Sequence, residues 1–280
     1  MGAGMSAIMG PRKPGTAGIL FYHRIAPKVA GLPDPGLNVT PDRFRIQLEG
    51  LLERGFSFCS LRDLVTMASE GREVPGGTTV VTFDDAFAGV YRWALPVLRA
   101  LKIPATVFPV TRYLDEPAGP MHFDMWGLAH HREAPADSWR SMTWAECRAA
   151  EATGLVEIGC HTHAHENFAG RSEELDQDLS AAQAAFLAEL GGPRTLFAIP
   201  YGDPNLGQVD NEMLEVIQRH GHACALTTKL GLVEQGQSPF GWKRLEVVDQ
   251  DTGGTLAAKI EGWYDWMGAV KTAVHRVSPW

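Results

Sequence analysis

The stretch Thr78-Thr79-Val80-Val81-Thr82-Phe83-Asp84 reads as a strand, and a second carboxylate, Asp85, follows it. It lacks strict alternation of apolar and polar residues, which suits a parallel sheet covered by helices on both faces. Similar short runs occur at 17–23 (AGILFYH), 104–109 (PATVFP), 155–160 (LVEIGC), 195–200 (TLFAIP), 222–228 (HACALTT) and 240–248. Helical patterns lie between them at 41–54, 61–70, 89–102, 143–153, 172–190 and 207–220. Pro41 fits a first helical position with Thr40 as its cap. Ser172 carries a capping signature, with Leu175 and Leu179 on one face of the helix behind it. This alternation predicts a parallel α/β fold. Seven strands without a Gly-x-Gly-x-x-Gly turn favour a barrel over an open dinucleotide-binding sheet.

Outward from that core the chain reads as one domain over 17–280, preceded by a tail of residues 1–16. Residues 111–141 form the main irregular stretch, long enough to be a functional loop. The pattern at 253–275, with Trp263 and Trp266, predicts a packed terminal helix. The chain has 280 residues with 45% hydrophobic and 21% charged side chains, which excludes a disordered protein. A net charge of −8 argues against a nucleic-acid partner. Cys59, Cys147, Cys160 and Cys224 lie far apart, which excludes a zinc ribbon or a dense disulfide scaffold. No apolar run approaches the ~18–20 residues of a membrane span, and no signal-peptide pattern is seen. The expectation is a soluble cytoplasmic protein.

In parallel barrels, catalytic groups come from the C-terminal ends of strands. Those ends supply His23-Arg24, Asp84-Asp85, His161 to His165 and Pro200-Tyr201-Gly202. Neighbouring strand residues point to opposite faces, so Asp84 and Asp85 share a site only where the strand ends. The turn-permitting Ala86-Phe87-Ala88-Gly89 follows; the alternative is one aspartate inward and one capping the next helix. His161 and His165 stand four apart, on one face if that segment is helical. Two imidazoles with one carboxylate make a catalytic zinc set with an open position for water. His163 is a third candidate ligand, or a supporting or solvent-facing group.

Thr82-Phe83-Asp84-Asp85, His161-Thr162-x-x-His165 and Phe197-Ala198-Ile199-Pro200-Tyr201-Gly202 resemble, in order and spacing, the motifs of NodB-like polysaccharide deacetylases, carbohydrate esterase family four. The likeness runs from Ile19 to Val248. It implies a distorted (β/α)7-type barrel with a divalent metal, zinc first and cobalt, nickel or manganese as alternatives. The activity it implies is removal of acetyl groups from N-acetylated sugars or glycans. By position Asp84 is then the general base, and Asp85, His161 and His165 are the metal ligands. The backbone at Tyr201, after Pro200, helps to hold the oxyanion.

Two departures qualify the likeness. Ala198 stands where many members carry an arginine that orients the catalytic aspartate, and Arg24 or Arg244 is the candidate replacement. The tail lacks the usual Leu-x-His motif, and His275 lies in a helical pattern. Leu20-Phe21-Tyr22-His23 instead resembles the permuted, exopolysaccharide-deacetylase-like branch, which makes His23 the candidate acid. An amine leaves poorly unless protonated, so such an acid is needed. Trp126, Trp139 and Trp144 are candidates for stacking on sugar rings or for packing. An O-acetyl esterase, a non-sugar amidase and a silent glycan-binding relative are the competing readings; the intact Asp84, Asp85, His161 and His165 argue against the last.

Overall fold

Each buried apolar run becomes a stave of one parallel sheet. The computed structural model describes residues 14–115 and 119–263. β1 (Thr16–Tyr22) is buried from Ala17 onward. The short pieces β2 (Arg24–Ile25), β3 (Asn38–Val39) and β4 (Ser57–Phe58) follow. β5 (Thr78–Asp85) is buried along its whole length. β6 (Ala105–Pro109), β7 (Val156–Ile158), β8 (Ala225–Leu230), β9 (Val233–Glu234) and β10 (Phe240–Glu246) complete the set. The main path runs β7-β6-β5-β1-β10-β8, and every neighbouring pair in it is parallel.

The expected strand at 195–200 is not a regular one. Its backbone nevertheless spans the gap between the two ends of the path. On one side Cys160 N–H donates to Leu196 C=O at 2.9 Å and Ala198 N–H to Cys160 C=O at 3.1 Å. On the other, Leu226 N–H donates to Phe197 C=O at 2.9 Å and Ile199 N–H to Leu226 C=O at 3.0 Å. The segment therefore closes the sheet into a distorted seven-stave barrel. Side-chain alternation sorts residues between inside and outside. Ile19, Val80, Phe108, Ala198, Leu226 and Trp242 form one buried cluster, whereas Leu20, Val81, Phe83 and Val107 belong to the cluster under the helices.

The helices are α1 (Pro41–Leu52), α2 (Leu61–Ser69), α3 (Leu95–Leu101), α4 (Met125–His130), α5 (Trp144–Glu151), α6 (Ser172–Leu190), α7 (Asn211–Arg219) and α8 (Gly253–Ile260). Several boundaries differ from expectation for local reasons. Thr40 stands at the N-cap of α1 without capping it, since its hydroxyl bonds Asp249 Oδ1 at 2.9 Å. Arg171, not Ser172, occupies the N-cap of α6, although Leu175 and Leu179 are buried on one face as expected. α7 starts late because Asp210 caps it, accepting from Met213 N–H at 2.8 Å. The expected helix at 89–102 is divided into a π turn, Val90–Ala94, and α3. Residues 111–141 are interrupted by α4 and two 3₁₀ turns. Trp263 is half-exposed rather than packed. Residues 1–13, Trp266 and His275 lie outside the described residues.

Candidate active site

The same alternation that puts Val80 and Thr82 inside the barrel puts Asp84 inside at its C-terminal mouth. There it meets Arg244, which reaches in from β10. Arg244 Nη1 lies 2.7 Å from Asp84 Oδ1 and Nη2 lies 2.7 Å from Oδ2, a bidentate pair with both side chains buried. Arg244 Nε donates to Thr227 C=O at 2.9 Å, and its guanidinium centre lies 4.5 Å from the Phe21 ring centroid. Burial alone would raise the Asp84 pKa, but Arg244, with His161 and His23 beside it, brings it below the ordinary carboxylate value. Arg24 lines the same mouth but does not bond Asp84; it pairs with Asp124 at 2.5 Å and lies 4.2 Å from the Phe87 ring centroid. Of the two candidate arginines, only Arg244 bonds Asp84.

Asp85 belongs to the opposite face by alternation, and a turn brings it to the same mouth. Its φ is +65°, that of Ala86 is +53°, and Ala86 N–H donates back to Asp84 C=O at 2.8 Å. Asp85 Oδ1 lies 3.2 Å from His165 Nε2 and 3.5 Å from His161 Nε2. Residues 161–165 are a loop, not the helix on which a shared face would have depended. Thr162 and His165 take left-handed conformations, with φ of +68° and +57°. His161 Nδ1 faces Ala198 C=O at 2.8 Å, which assigns the proton to Nδ1 and leaves the Nε2 lone pair toward Asp85. Burial pulls His161 down to about 4, keeping the ring neutral.

These three groups fit a divalent cation. Each offers one ligand atom, and all three atoms lie within 4.8 Å of one another. Asp85 Oδ1 is buried and makes no hydrogen bond, and burial notwithstanding the neighbouring histidines hold Asp85 well below the usual carboxylate range. Two imidazoles and one carboxylate are a donor set for zinc or a neighbouring divalent transition metal. His163 is not part of the set; its Nδ1 is 2.9 Å from Thr111 Oγ1.

Residues 71–225, more than half of the chain, match the family model described as polysaccharide deacetylase. The chain belongs to the polysaccharide deacetylase family. It is 21% identical over 257 residues to the Bacillus subtilis family protein YxkH, covering 91% of this chain and 80% of that one. It is 23% identical over 237 residues to a poly-beta-1,6-N-acetyl-D-glucosamine N-deacetylase of Staphylococcus aureus, covering 81% of this chain and 73% of that one. Among solved structures, IcaB from Ammonifex degensii superposes with a TM-score of 0.70 at 24% identity, over 90% of this chain and 98% of that one. That last likeness is one of fold.

In this member of the family the paired acids and the histidine loop open into a cleft of about 520 Å³. His23, half-buried, and the exposed Tyr201 also line it. Tyr201 has a φ of +61°, and Thr228 Oγ1 bonds its carbonyl at 2.6 Å, which pins the turn after Pro200. Pro200 itself is buried and does not line the cleft. Trp126 does, but Trp144 packs against Phe186 and Trp139 against His131. Among the lining residues that the sequence reading passed over, three make telling contacts. Phe123 stacks on His165 with ring centroids 3.7 Å apart, Asp124 holds Arg24, and Glu246 ends β10 beside the end of β1. The cluster Phe123-Asp124-Met125-Trp126-Gly127 inside an irregular stretch was the available signal. No helix among the described residues is long and apolar enough to cross a membrane.

Proposed function

We propose that the chain hydrolyses the N-acetyl groups of an acetylated sugar polymer, with Asp84 as general base, His23 as general acid, and Asp85, His161 and His165 holding a divalent metal, zinc first. The observation that carries this reading is the difference in surroundings between two adjacent carboxylates. Asp84 has both oxygens on a guanidinium, whereas Asp85 faces two imidazoles without a hydrogen bond. One is thus suited to taking a proton at a fixed position and the other to ligating a cation. The sugar class is supported by the relative named as an N-deacetylase of poly-beta-1,6-N-acetyl-D-glucosamine.

A metal bound there would supply acidified water and polarise the amide carbonyl. The chain does the rest. Asp84 accepts a proton from the attacking water as the new C–O bond forms. The backbone N–H at Tyr201 donates to the developing oxyanion. His23 then gives a proton to the departing nitrogen as the C–N bond breaks, leaving acetate and a free amine. The aromatic residues of the cleft provide flat apolar surface against which a sugar ring can lie.

The experiment measures zinc content and acetate release from N-acetylglucosamine oligomers, an O-acetylated glycan and nitrophenyl acetate. Asp84→Asn should keep its metal and lose roughly 10²–10⁴ in rate, the usual worth of a general base. His23→Ala should lose amide cleavage far more than nitrophenyl acetate cleavage, because a nitrophenolate leaves unprotonated. Loss of metal in Asp84→Asn would exchange the roles of the two aspartates. Acetate release from the O-acetylated glycan alone would make the chain an esterase.

A further inference from the structure

The histidine loop holds a conformation that its own residues disfavour. Thr162, a β-branched residue, and His165 both lie in the left-handed region, where the β-carbon of a non-glycine residue crowds the following carbonyl oxygen. Such backbone persists only where its surroundings over-determine it. Three sets of contacts do so here. Within the loop, His165 N–H donates to Thr162 Oγ1 at 2.9 Å. From the 3₁₀ turn Thr111–Tyr113, Thr111 N–H donates to Thr162 C=O at 3.2 Å and Arg112 N–H to His163 C=O at 3.1 Å. From α6, Asp178 Oδ1 accepts His163 N–H at 2.6 Å and its Oδ2 accepts Ala164 N–H at 2.9 Å.

The third contact stands apart. One half-buried carboxylate fixes two successive peptide groups lying between the two histidines that converge on Asp85. Bonds to an ionised acceptor are roughly twice as strong as neutral ones. The helix that carries Asp178 is itself anchored, since Leu175 and Leu179 are buried in the main core cluster. We infer that Asp178 is a positioning residue that sets metal affinity by holding the histidine loop in its ligating shape before a metal arrives. The inference rests on reading Asp85, His161 and His165 as the ligands.

Asparagine at this position offers one acceptor oxygen and turns an NH2 group toward an N–H donor, so Asp178→Asn breaks the clamp with little change in volume. Asp176→Asn is the control: Asp176 sits on the same helix but bonds His220 Nε2 at 3.1 Å and does not touch the loop. Zinc is titrated into the full chain, stripped with a chelator, against a competing chromophoric chelator. The wild type should bind one zinc, and Asp178→Asn should bind it roughly 10–100-fold more weakly, the usual cost of losing a group that supports a ligand. Asp176→Asn should stay within about twofold, since it leaves every such group in place. Unchanged affinity in Asp178→Asn, or an equal loss in Asp176→Asn, would overturn the proposal. A second measurement needs no variant: in the metal-free wild type the amide hydrogens of His163 and Ala164 should be protected from exchange. Free exchange there would overturn the proposal even if Asp178→Asn did not fold. A wild type that takes up no zinc would overturn the ligand reading itself, and the clamp with it.

Discussion

The carboxylate of Asp84 is buried with a guanidinium on both oxygens, and that contact bears directly on its protonation. Burial raises its pKa; Arg244, together with His161 and His23, more than offsets this and keeps it ionised. Arg244→Met removes that arginine's lowering influence and leaves the raising one, so the Asp84 pKa must rise. The acid limb of kcat/KM against pH should therefore move to higher pH, and an unmoved limb in a folded variant would refute the coupling. The same change should destabilise the fold by about 3–5 kcal/mol, because it strands a buried charge. Arg244→Lys should recover only part of this, since one ammonium cannot reproduce a two-pronged contact. The converging carboxylates and imidazoles were legible in the sequence because they end a strand or follow one closely. Their partner was legible only as one of two arginines. Arg244 and Asp84 are 160 positions apart, and nothing in local spacing reports which arginine the closing barrel brings round.

At the scale of elements, α1 and α8 cross backbone to backbone at Gly50 and Gly253. A β-carbon on Gly50 would stand 2.9 Å from Gly253 Cα, and one on Gly253 would stand 2.5 Å from Gly50 Cα. No side chain is there to swing aside, so the helices themselves must separate. Gly50→Ala and Gly253→Ala should each lower stability by about 1–3 kcal/mol, the range for overpacking, read as a shift in thermal midpoint. Gly254→Ala, with no atom nearer than 3.6 Å to the added carbon, should not destabilise. Six of the seven expected strands were legible, β1, β5 and β6 most directly because their residues are buried on both faces, leaving continuous apolar runs. The seventh looked the same, yet forms only bridges. Its neighbour on one side, β7, is just three residues long, and Pro200 lacks the N–H that would extend a ladder. The spacing of four between His161 and His165 would have given a shared face only in a helix, whereas tertiary contacts dictate the left-handed residues of a loop.

For the whole molecule, acid should act through His222. The ring is buried against Phe197 with Nδ1 unpartnered. Burial, aided by His220, pulls its pKa down to about 3. The unfolded chain takes up that proton near pH 6.5 and the folded chain does not. Stability from this group is therefore complete above about pH 6.5 and declines by about 1.4 kcal/mol per unit as pH falls toward 3. Urea unfolding at pH 7 and pH 5 should show the wild type losing about 2 kcal/mol more than His222→Leu; equal losses would clear His222 of the effect. A different consequence follows from the irregular stave at 195–200. Held by a few bonds rather than a full ladder, it is the place where the barrel should form its lowest-energy partially open state. That opening withdraws the Ala198 carbonyl from His161 and releases the turn at Tyr201 while β1, β5 and β10 remain paired. In rising urea, catalysis should fade before the tryptophan fluorescence of the fold changes. The working end of this barrel then melts as its own unit, ahead of the scaffold that carries it.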